Sequence, residues 1–376
     1  MQLKTKGNPN NFCEPIVGKV TRNPNLQSSD HILISEDDGF VRTNHFKALL
    51  TSKELNKSEL TSPFVSCIPT FEHLREDDIV VINTSGVINT LYRVNSFQNF
   101  ILATERCNSN CLMCSQPPKD RNDIIRLFNI HKQLIPLIPK DCYEIGITGG
   151  EPTLMGEHYF EMLKLIKEEL PDTEVHCLTN GRAFAWSNFA KELGKIDYKR
   201  LMLGIPIYSD YYLTHDYVVQ AKNAWYQTLQ GLYNLAENEV RIEIRVVLHK
   251  LTIPRLVKLA KFINTNLPFI DQVVFMGLEN QGYTPHNINK LWIDPVDYMS
   301  ELQEACDFLS DSGFHVAIYN SQLCLMPKEL WKYNKRSISD WKNIYLKECI
   351  RCSILKECGG LFESNEKMHS NHIKAL

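Results

Sequence analysis

Cys107, Cys111 and Cys114, in the stretch CNSNCLMC, are separated by three residues and then by two. Thiolates at that spacing fit three irons of a four-iron cluster and leave the fourth iron without a protein ligand, open to a substrate. A zinc site or a set of buried thiols is the plain alternative for the same three residues. A second set lies downstream: Cys324, then Cys349, Cys352 and Cys358 in CIRCSILKECGG. Four thiolates saturate a four-iron cluster, which suits electron transfer or structure, but a tetrathiolate zinc site meets the same ligand count. The other cysteines, Cys13, Cys67, Cys142, Cys177 and Cys306, stand alone and read as small apolar residues without a role.

Chemistry of this kind needs elements to hold it, and the sequence supplies them. Apolar strand-like runs at 99–104, 144–148, 174–179, 201–207, 241–248 and 272–276 alternate with amphipathic stretches at 124–135, 158–170, 184–193, 224–235 and 256–263. That alternation predicts an α/β fold with a parallel sheet, whose sites lie beyond the carboxyl ends of its strands. The candidate motifs obey the rule. CNSNCLMC follows the first run, TGGEPT (148–153) the second, LTNG (178–181) the third, and Ser209 and Asp210 the fourth. Together they describe one site.

Cx3Cx2C after the first strand with GGEP after the second resembles the radical S-adenosylmethionine (SAM) enzymes over residues 97 to about 280. TERCNSNCLMCSQPPKD, with SISDWKN near the C-terminus, resembles the HxsC-type radical SAM maturases of His-Xaa-Ser peptide systems. The Cx2Cx5C run resembles the auxiliary-cluster segment of SPASM and twitch domains, which continue with a further cysteine where this chain has Phe362. The resemblance implies a partial (β/α)6 barrel at 97–285, a β-rich N-terminal domain at 1–96 and an auxiliary-cluster domain at 286–376. It also implies a 4Fe-4S cluster on Cys107, Cys111 and Cys114 whose open iron takes the amino and carboxylate groups of SAM, and a second 4Fe-4S cluster, or zinc, on the downstream set. Implied as SAM contacts are Gly149 and Gly150, whose backbone lies bare, Glu151 and Pro152, which fix that turn, Asn180, Ser209 near the ribose and Met113 beside the adenine. The implied partners are a ribosomally made precursor peptide or small protein and an electron donor such as flavodoxin or ferredoxin. A small metabolite as substrate and a non-enzymatic zinc scaffold share parts of the same pattern.

Simpler roles compete at several positions. TGGEPT and LTNG are also ordinary turns, Ser209 also suits a helix cap, and Met113 also suits a core. Arg245, charged within the fifth strand, either reaches a carboxylate in the barrel or lies half exposed. Upstream, the residues 78–93 read as a hairpin turning at Thr84, Ser85 and Gly86, and short β-like runs fall at 31–35 and 40–43 around a turn at 37–39. FKALLTSKELNKSEL (46–60) reads as a short helix, Trp331 and Trp341 as packing residues, and His369 and His372 as part of a frayed tail. The N-terminal domain is a candidate for leader-peptide recognition.

Composition narrows the field. The 376 residues carry 41 Lys and Arg against 44 Asp and Glu, a formal charge of -3, so no global attraction to nucleic acid or anionic membrane exists. No apolar run approaches the roughly 18 residues that span a bilayer, and MQLKTKGNPNNFCEP lacks a signal-like apolar stretch. The expected compartment is the cytoplasm, where thiols stay reduced and twelve cysteines are better explained by metal than by disulfides.

Overall fold

The computed structural model describes residues 3–36, 45–55 and 60–376. The turn expected at 37–39 and the run at 40–43 lie outside the described residues. The chain forms two compact units, one of Met1–Leu102, Asn122–Gly146 and Glu161–Glu174, the other of Ala103–Arg121, Ile147–Phe160 and Val175–Leu376.

In the first unit, strands β1 (Lys4–Lys6), β2 (Asn8–Asn10), β3 (Ile16–Thr21), β4 (His31–Ile34), β5 (Ala48–Leu50), β6 (Phe64–Ser66), β7 (Ile79–Ile82) and β8 (Val87–Tyr92) make one mixed sheet. Its order is β1-β8-β7-β3-β4-β5-β6-β2. β7 and β8 are the expected hairpin, paired antiparallel from Ile82–Ile88 to Ile79–Tyr92. The helix expected over 46–60 is corrected by the structure, because Ala48–Leu50 is a strand between β4 and β6, parallel to both. All three residues are buried, so both faces of β5 are apolar and no alternation marks it as a strand. Val20, Ile32, Leu50, Val65, Val80 and Ile88 form the core on one side, and Leu33, Phe46, Leu49 and Phe64 pack together in a second cluster. Helix α1 (Ile124–Leu134) belongs to the same unit, with Gln133 accepting the Val17 N–H at 3.4 Å. β9 (Asn99–Leu102) begins the second strand series, and His131 of α1 bonds the Leu102 carbonyl at 3.0 Å.

β10 (Glu144–Thr148) runs from the first unit into the second, where β11 (Glu174–Leu178), β12 (Leu201–Pro206), β13 (Arg241–Val247) and β14 (Gln272–Met276) follow. Consecutive strands from β11 to β14 pair in parallel, as the alternating sequence pattern requires. Helices α2 (Glu157–Glu169), α3 (Ser187–Ile196), α4 (Tyr212–Val219), α5 (Ala224–Ala236) and α6 (Leu256–Asn266) connect them. α5 buries Ala224, Thr228, Gly231, Leu232 and Leu235, a helical stripe that places it on the sheet. The architecture is the expected α/β fold with a parallel sheet. It goes further than the six strands read from sequence. After the one-turn helix α7 (Ile288–Leu291), α8 (Met299–Asp311) leads into β15 (His315–Tyr319), which pairs parallel to β14, and β16 (Asn334–Lys335) pairs parallel to β15. A two-stranded antiparallel pair, β17 (Asn343–Ile344) and β18 (Leu361–Phe362), follows.

The C-terminus is docked, which corrects the expectation of a frayed tail. Ile373 is 7% exposed, and the Leu376 carbonyl accepts both the Ser353 N–H and its hydroxyl at 2.8 Å. Trp331 donates to the Leu323 and Met326 carbonyls and so pins the turn that carries Cys324. Among the described residues no helix is long and apolar enough to cross a membrane.

Three buried histidines set an acid response. Burial pushes His131 and His215 down to about 4 and His249 to about 3, so all three fold neutral. As pH falls below the ordinary value of 6.5, the unfolded chain takes up protons before the folded one does. Stability is then full above pH 6.5 and declines toward about 4, by at most about 1.4 kcal/mol per pH unit for each histidine. Urea unfolding of the metal-free chain at about pH 7 and about pH 5 should show the lower midpoint at the lower pH. Coincident midpoints would remove these histidines as the acid-sensitive element.

Candidate active site

Beyond β9 the chain enters the loop that carries Cys107, Cys111 and Cys114, and the end of β10 is zipped to its start. Ala103 N–H donates to Thr148 O at 2.8 Å, Gly150 N–H to Thr104 O at 2.7 Å and Glu151 N–H to Arg106 O at 2.7 Å. This ladder brings two backbones too close for a side chain. A Cβ on Gly150 would stand 2.0 Å from the Arg106 carbonyl oxygen. Gly149 has φ 145°, in the region that favours glycine. The bare backbone of TGGEPT is therefore occupied, at Gly150, by the chain's own cysteine loop.

Glu151 is 1% exposed and caps the 3-10 turn Pro152–Met155, with Pro152 at the turn's first position, where its missing N–H costs nothing. One carboxylate oxygen accepts the Thr153 N–H at 3.1 Å, the Thr153 hydroxyl at 2.7 Å and the Thr179 hydroxyl at 2.6 Å. The other accepts the Asn180 N–H at 2.7 Å. Burial raises the pKa of this carboxyl, and these donors pull it back. Asn180 in turn donates from Nδ2 to Asn108 Oδ1 at 2.6 Å, inside CNSNC. Arg182 clamps the same segment. Its Nη1 donates to Asn108 O at 2.6 Å and Ser109 Oγ at 3.0 Å, while Nε is anchored on Gln227 Oε1 at 2.7 Å. The LTNG turn itself is held by α5, where Thr228 donates to Asn180 O at 3.0 Å and Gly231 lets the helix approach Gly181.

Two further segments complete the mount. Asn110 and Leu112 donate their N–H groups to Val219 and Val218 at the end of α4. From residues 283–287, Tyr283 N–H caps the Cys114 carbonyl at 2.9 Å, the Thr284 hydroxyl caps Met113 at 3.3 Å and Asn287 Nδ2 caps Leu112 at 2.9 Å. Beneath the loop, Met113 is 7% exposed and packs in a cluster with Leu112, Tyr208, Val218 and Leu291. Ser209 is fully buried, and its hydroxyl accepts the Tyr211 N–H at 3.1 Å just before α4. Its neighbour Asp210 takes a two-point bond from Arg255 at 2.7 and 2.6 Å.

The three thiols sit in a setting that suits metal. Burial raises all three, to about 11 for Cys107 and about 12 for Cys111, and repulsion among the sulfurs adds to both values. That mutual repulsion reports closeness, and the positive charge of Arg182 opposes it at Cys111. Among the described residues no three His, Cys, Asp or Glu side chains converge on a single ion. A cluster puts each thiolate on its own iron, so it asks for neighbouring sulfurs and no such convergence. By donor type these residues fit a cluster.

Cys324, Cys349, Cys352 and Cys358 line one cavity, walled by Leu323, Tyr345, Leu355, Leu361 and Ile373. Burial raises Cys324 and Cys349, and charge on Cys358 raises both further. Sequence reasoning missed Arg182, Asn108 and Thr179. The only signal for Arg182 was its place directly after an Asn-Gly turn at a strand end, where arginine has no distinctive pattern.

The profile of the Radical SAM superfamily matches residues 101–263. No curated protein matches the chain. Among solved structures, Streptococcus suis SuiB bound to S-adenosylmethionine is similar at 17% identity and a TM-score of 0.48, over 66% of this chain and 55% of that one. Native anSMEcpe with bound AdoMet is similar at 19% identity and a TM-score of 0.44, over 58% and 62%. A domain of pyruvate-formate lyase-activating enzyme from Bacteroides vulgatus gives 17% and 0.37, over 47% of this chain and 98% of that one. This chain thus spans little more than half the length of SuiB.

Gly150 and Gly156 separate crowding from backbone strain. Gly156 has φ 60° and ψ -124°, outside the left-handed helical well, and no atom within 4 Å of an added Cβ, so Gly156→Ala meets conformational strain alone, about 1–3 kcal/mol. Gly150→Ala drives a methyl into backbone and should cost at least about 2 kcal/mol. It should also lower the iron retained after anaerobic reconstitution, with Gly156→Ala retaining nearly all of it. Equal iron retention in the two variants would uncouple the glycine turn from the cysteine loop.

Proposed function

We propose that this chain, whose residues 101–263 are a radical SAM domain and which is an enzyme of that chemistry, modifies a ribosomally made peptide or small protein. The observation that carries the reading is the convergence of three strand ends on the Cys107–Cys114 loop, through Gly150, Glu151 and Arg182. Cys107, Cys111 and Cys114 would hold a 4Fe-4S cluster with an iron left open to SAM, a pair that would supply radical abstraction of hydrogen from an unactivated position.

The chain's own residues bind, orient and dry that site. The carbonyls of Leu112, Met113 and Cys114 are capped from 283–287, which anchors the end of the loop that carries Cys114. Gly149 and Pro152 would border the methionine end of SAM, with Gly150, closed by the Arg106 carbonyl, and Glu151 acting through the turn that they hold. Asn180 would border the ribose side, Ser209, fully buried with its hydroxyl on the Tyr211 N–H, would hold the turn behind it, and Met113 with Tyr208 would give an apolar floor for the adenine. Excluding water from such a floor protects a reactive intermediate.

We propose a barrel from residue 97 whose sheet runs past 285 through β15 and β16, in place of a separate domain over 286–376, with the auxiliary cysteines carried on that C-terminal stretch, and a β-rich N-terminal domain at 1–96 as a candidate for leader-peptide recognition. The shared cavity of Cys324, Cys349, Cys352 and Cys358 supports one tetrathiolate centre there, and its similarity to SPASM and twitch segments supports a peptide substrate. Iron-sulfur, in which each thiolate takes its own iron, is our reading of that centre; zinc, the alternative, needs four thiolates converged on one ion, which the described residues do not show. The finer reading makes the substrate a chain with His-Xaa-Ser repeats and the electron donor a flavodoxin or ferredoxin.

Metal analysis after anaerobic reconstitution should return about eight irons per chain, and about four irons with one zinc would favour zinc downstream. The Cys107→Ala, Cys111→Ala, Cys114→Ala variant should form no 5′-deoxyadenosine under reduction; retained cleavage of SAM would end the catalytic assignment. Coexpression with a short neighbouring reading frame rich in His-Xaa-Ser, followed by mass spectrometry, checks the substrate, most simply as a loss of two hydrogens.

A further inference from the structure

Alternation along β13 puts Glu243 and Arg245 on the face opposite Ile242, Ile244 and Val246. On that inner face they meet His176 of β11, Met276 of β14 and Tyr319 of β15. Gly204 of β12 makes the room: a Cβ there would stand 3.0 Å from both Arg245 Cδ and His176 Nε2. Glycine inside a strand marks such close approaches. The Glu243 side chain is 2% exposed, with Oε1 3.2 Å from His176 Nε2 and 3.4 Å from Arg245 Nε.

Arg245 itself is 15% exposed at the side chain and only half used. Nε donates to Met276 Sδ at 3.2 Å, and the guanidinium carbon lies 5.9 Å from the centre of the Tyr319 ring. Among the described residues its two terminal nitrogens have no acceptor. Neither nitrogen is a buried, unpartnered atom, so both are open to solvent or to a ligand, and the free edge of a guanidinium matches the two oxygens of a carboxylate. Its position also fits a ligand near the cysteines, because the positive charge of Arg245 is felt by Tyr208, which also feels Cys111 and Cys114.

We propose that Arg245 binds a carboxylate of the substrate through its two terminal nitrogens, inside the parallel sheet and below the cysteine loop. The ligand class is then an acidic peptide, engaged by an Asp or Glu side chain or by its terminal carboxylate. This rests on the reading that a peptide enters this barrel. SAM carries a carboxylate too, and the test separates the two sources.

Binding of N-acetyl-L-glutamate methylamide to the full chain, followed by saturation-transfer NMR, reads the site directly. The neutral glutamine analogue should bind at least about tenfold more weakly, and Arg245→Met should weaken the acid by a similar factor. Because Arg245→Met strands Glu243, the pair Arg245→Met, Glu243→Gln is measured as well and should show the same loss with an unchanged circular dichroism spectrum. Equal binding of acid and amide, wild-type affinity in the double variant, or no saturable binding of the acid overturns the proposal. Equilibrium dialysis with labelled SAM should give affinities within about twofold for wild type and double variant. A loss of SAM affinity matching the loss of the acid would assign the nitrogens to SAM and overturn the substrate assignment. A chain that binds the acid yet forms no 5′-deoxyadenosine on reduction would contradict the enzyme reading and leave the Arg245 site standing.

Discussion

One buried carboxylate holds the candidate site together. Glu151 accepts from Thr153, Thr179 and Asn180 through four hydrogen bonds, while its own N–H is given to Arg106 at the head of the cysteine loop. Each buried donor orphaned by its loss, on Thr153 and Thr179, would cost about 1–3 kcal/mol, while Asn180 is half-buried. The consequence is geometric as well as energetic. The ends of β10 and β11 and the start of the loop are fixed to one another by a single side chain, and Arg182 and Asn180 carry that constraint onward to Asn108 and Ser109. Gly150 adds the steric half, since the ladder to Thr104 closes only where no Cβ intrudes.

That rigidity bears on assembly. Burial holds the thiols of Cys107 and Cys111 protonated at neutral pH, so a metal must displace protons to be bound. A loop fixed on four sides offers its sulfurs without first having to order them, which offsets part of that cost. The positive charge of the Arg182 guanidinium eases Cys111 toward its thiolate, and the same side chain is a structural clamp. Position and electrostatics are therefore set by one residue.

Much of this was legible in the residue order. Strand and helix alternation gave the parallel sheet, and the motifs fell at its carboxyl ends because turns after strands are where polar side chains can gather. β5 was not legible, since a strand buried on both faces carries no alternation. β15 and α8 lie past the motifs, in a stretch whose cysteines drew the reading toward a separate domain. The glycines of TGGEPT were readable as bare backbone, but the atom that needs the space is a carbonyl of Arg106, and no side-chain pattern announces a backbone oxygen. Ser209 shows the reverse case, a polar residue at a strand end whose hydroxyl is engaged by the next turn.

The two cysteine sets differ in what surrounds them more than in their spacing. Cys107, Cys111 and Cys114 stand beside a glycine turn, an asparagine and an arginine, over an apolar floor, so their wall on one side is backbone and hydrogen-bonding groups. Cys324, Cys349, Cys352 and Cys358 enclose a small cavity whose other walls are chiefly aliphatic, closed by the docked tail through Ile373 and Lys374. A centre ringed by four thiols and aliphatic side chains has no ligand position to lend and little polar surface to orient a substrate. A centre with three thiols and a polar flank has both. The loop that Glu151 holds has a polar flank, whereas the cavity of the downstream cysteines is chiefly aliphatic.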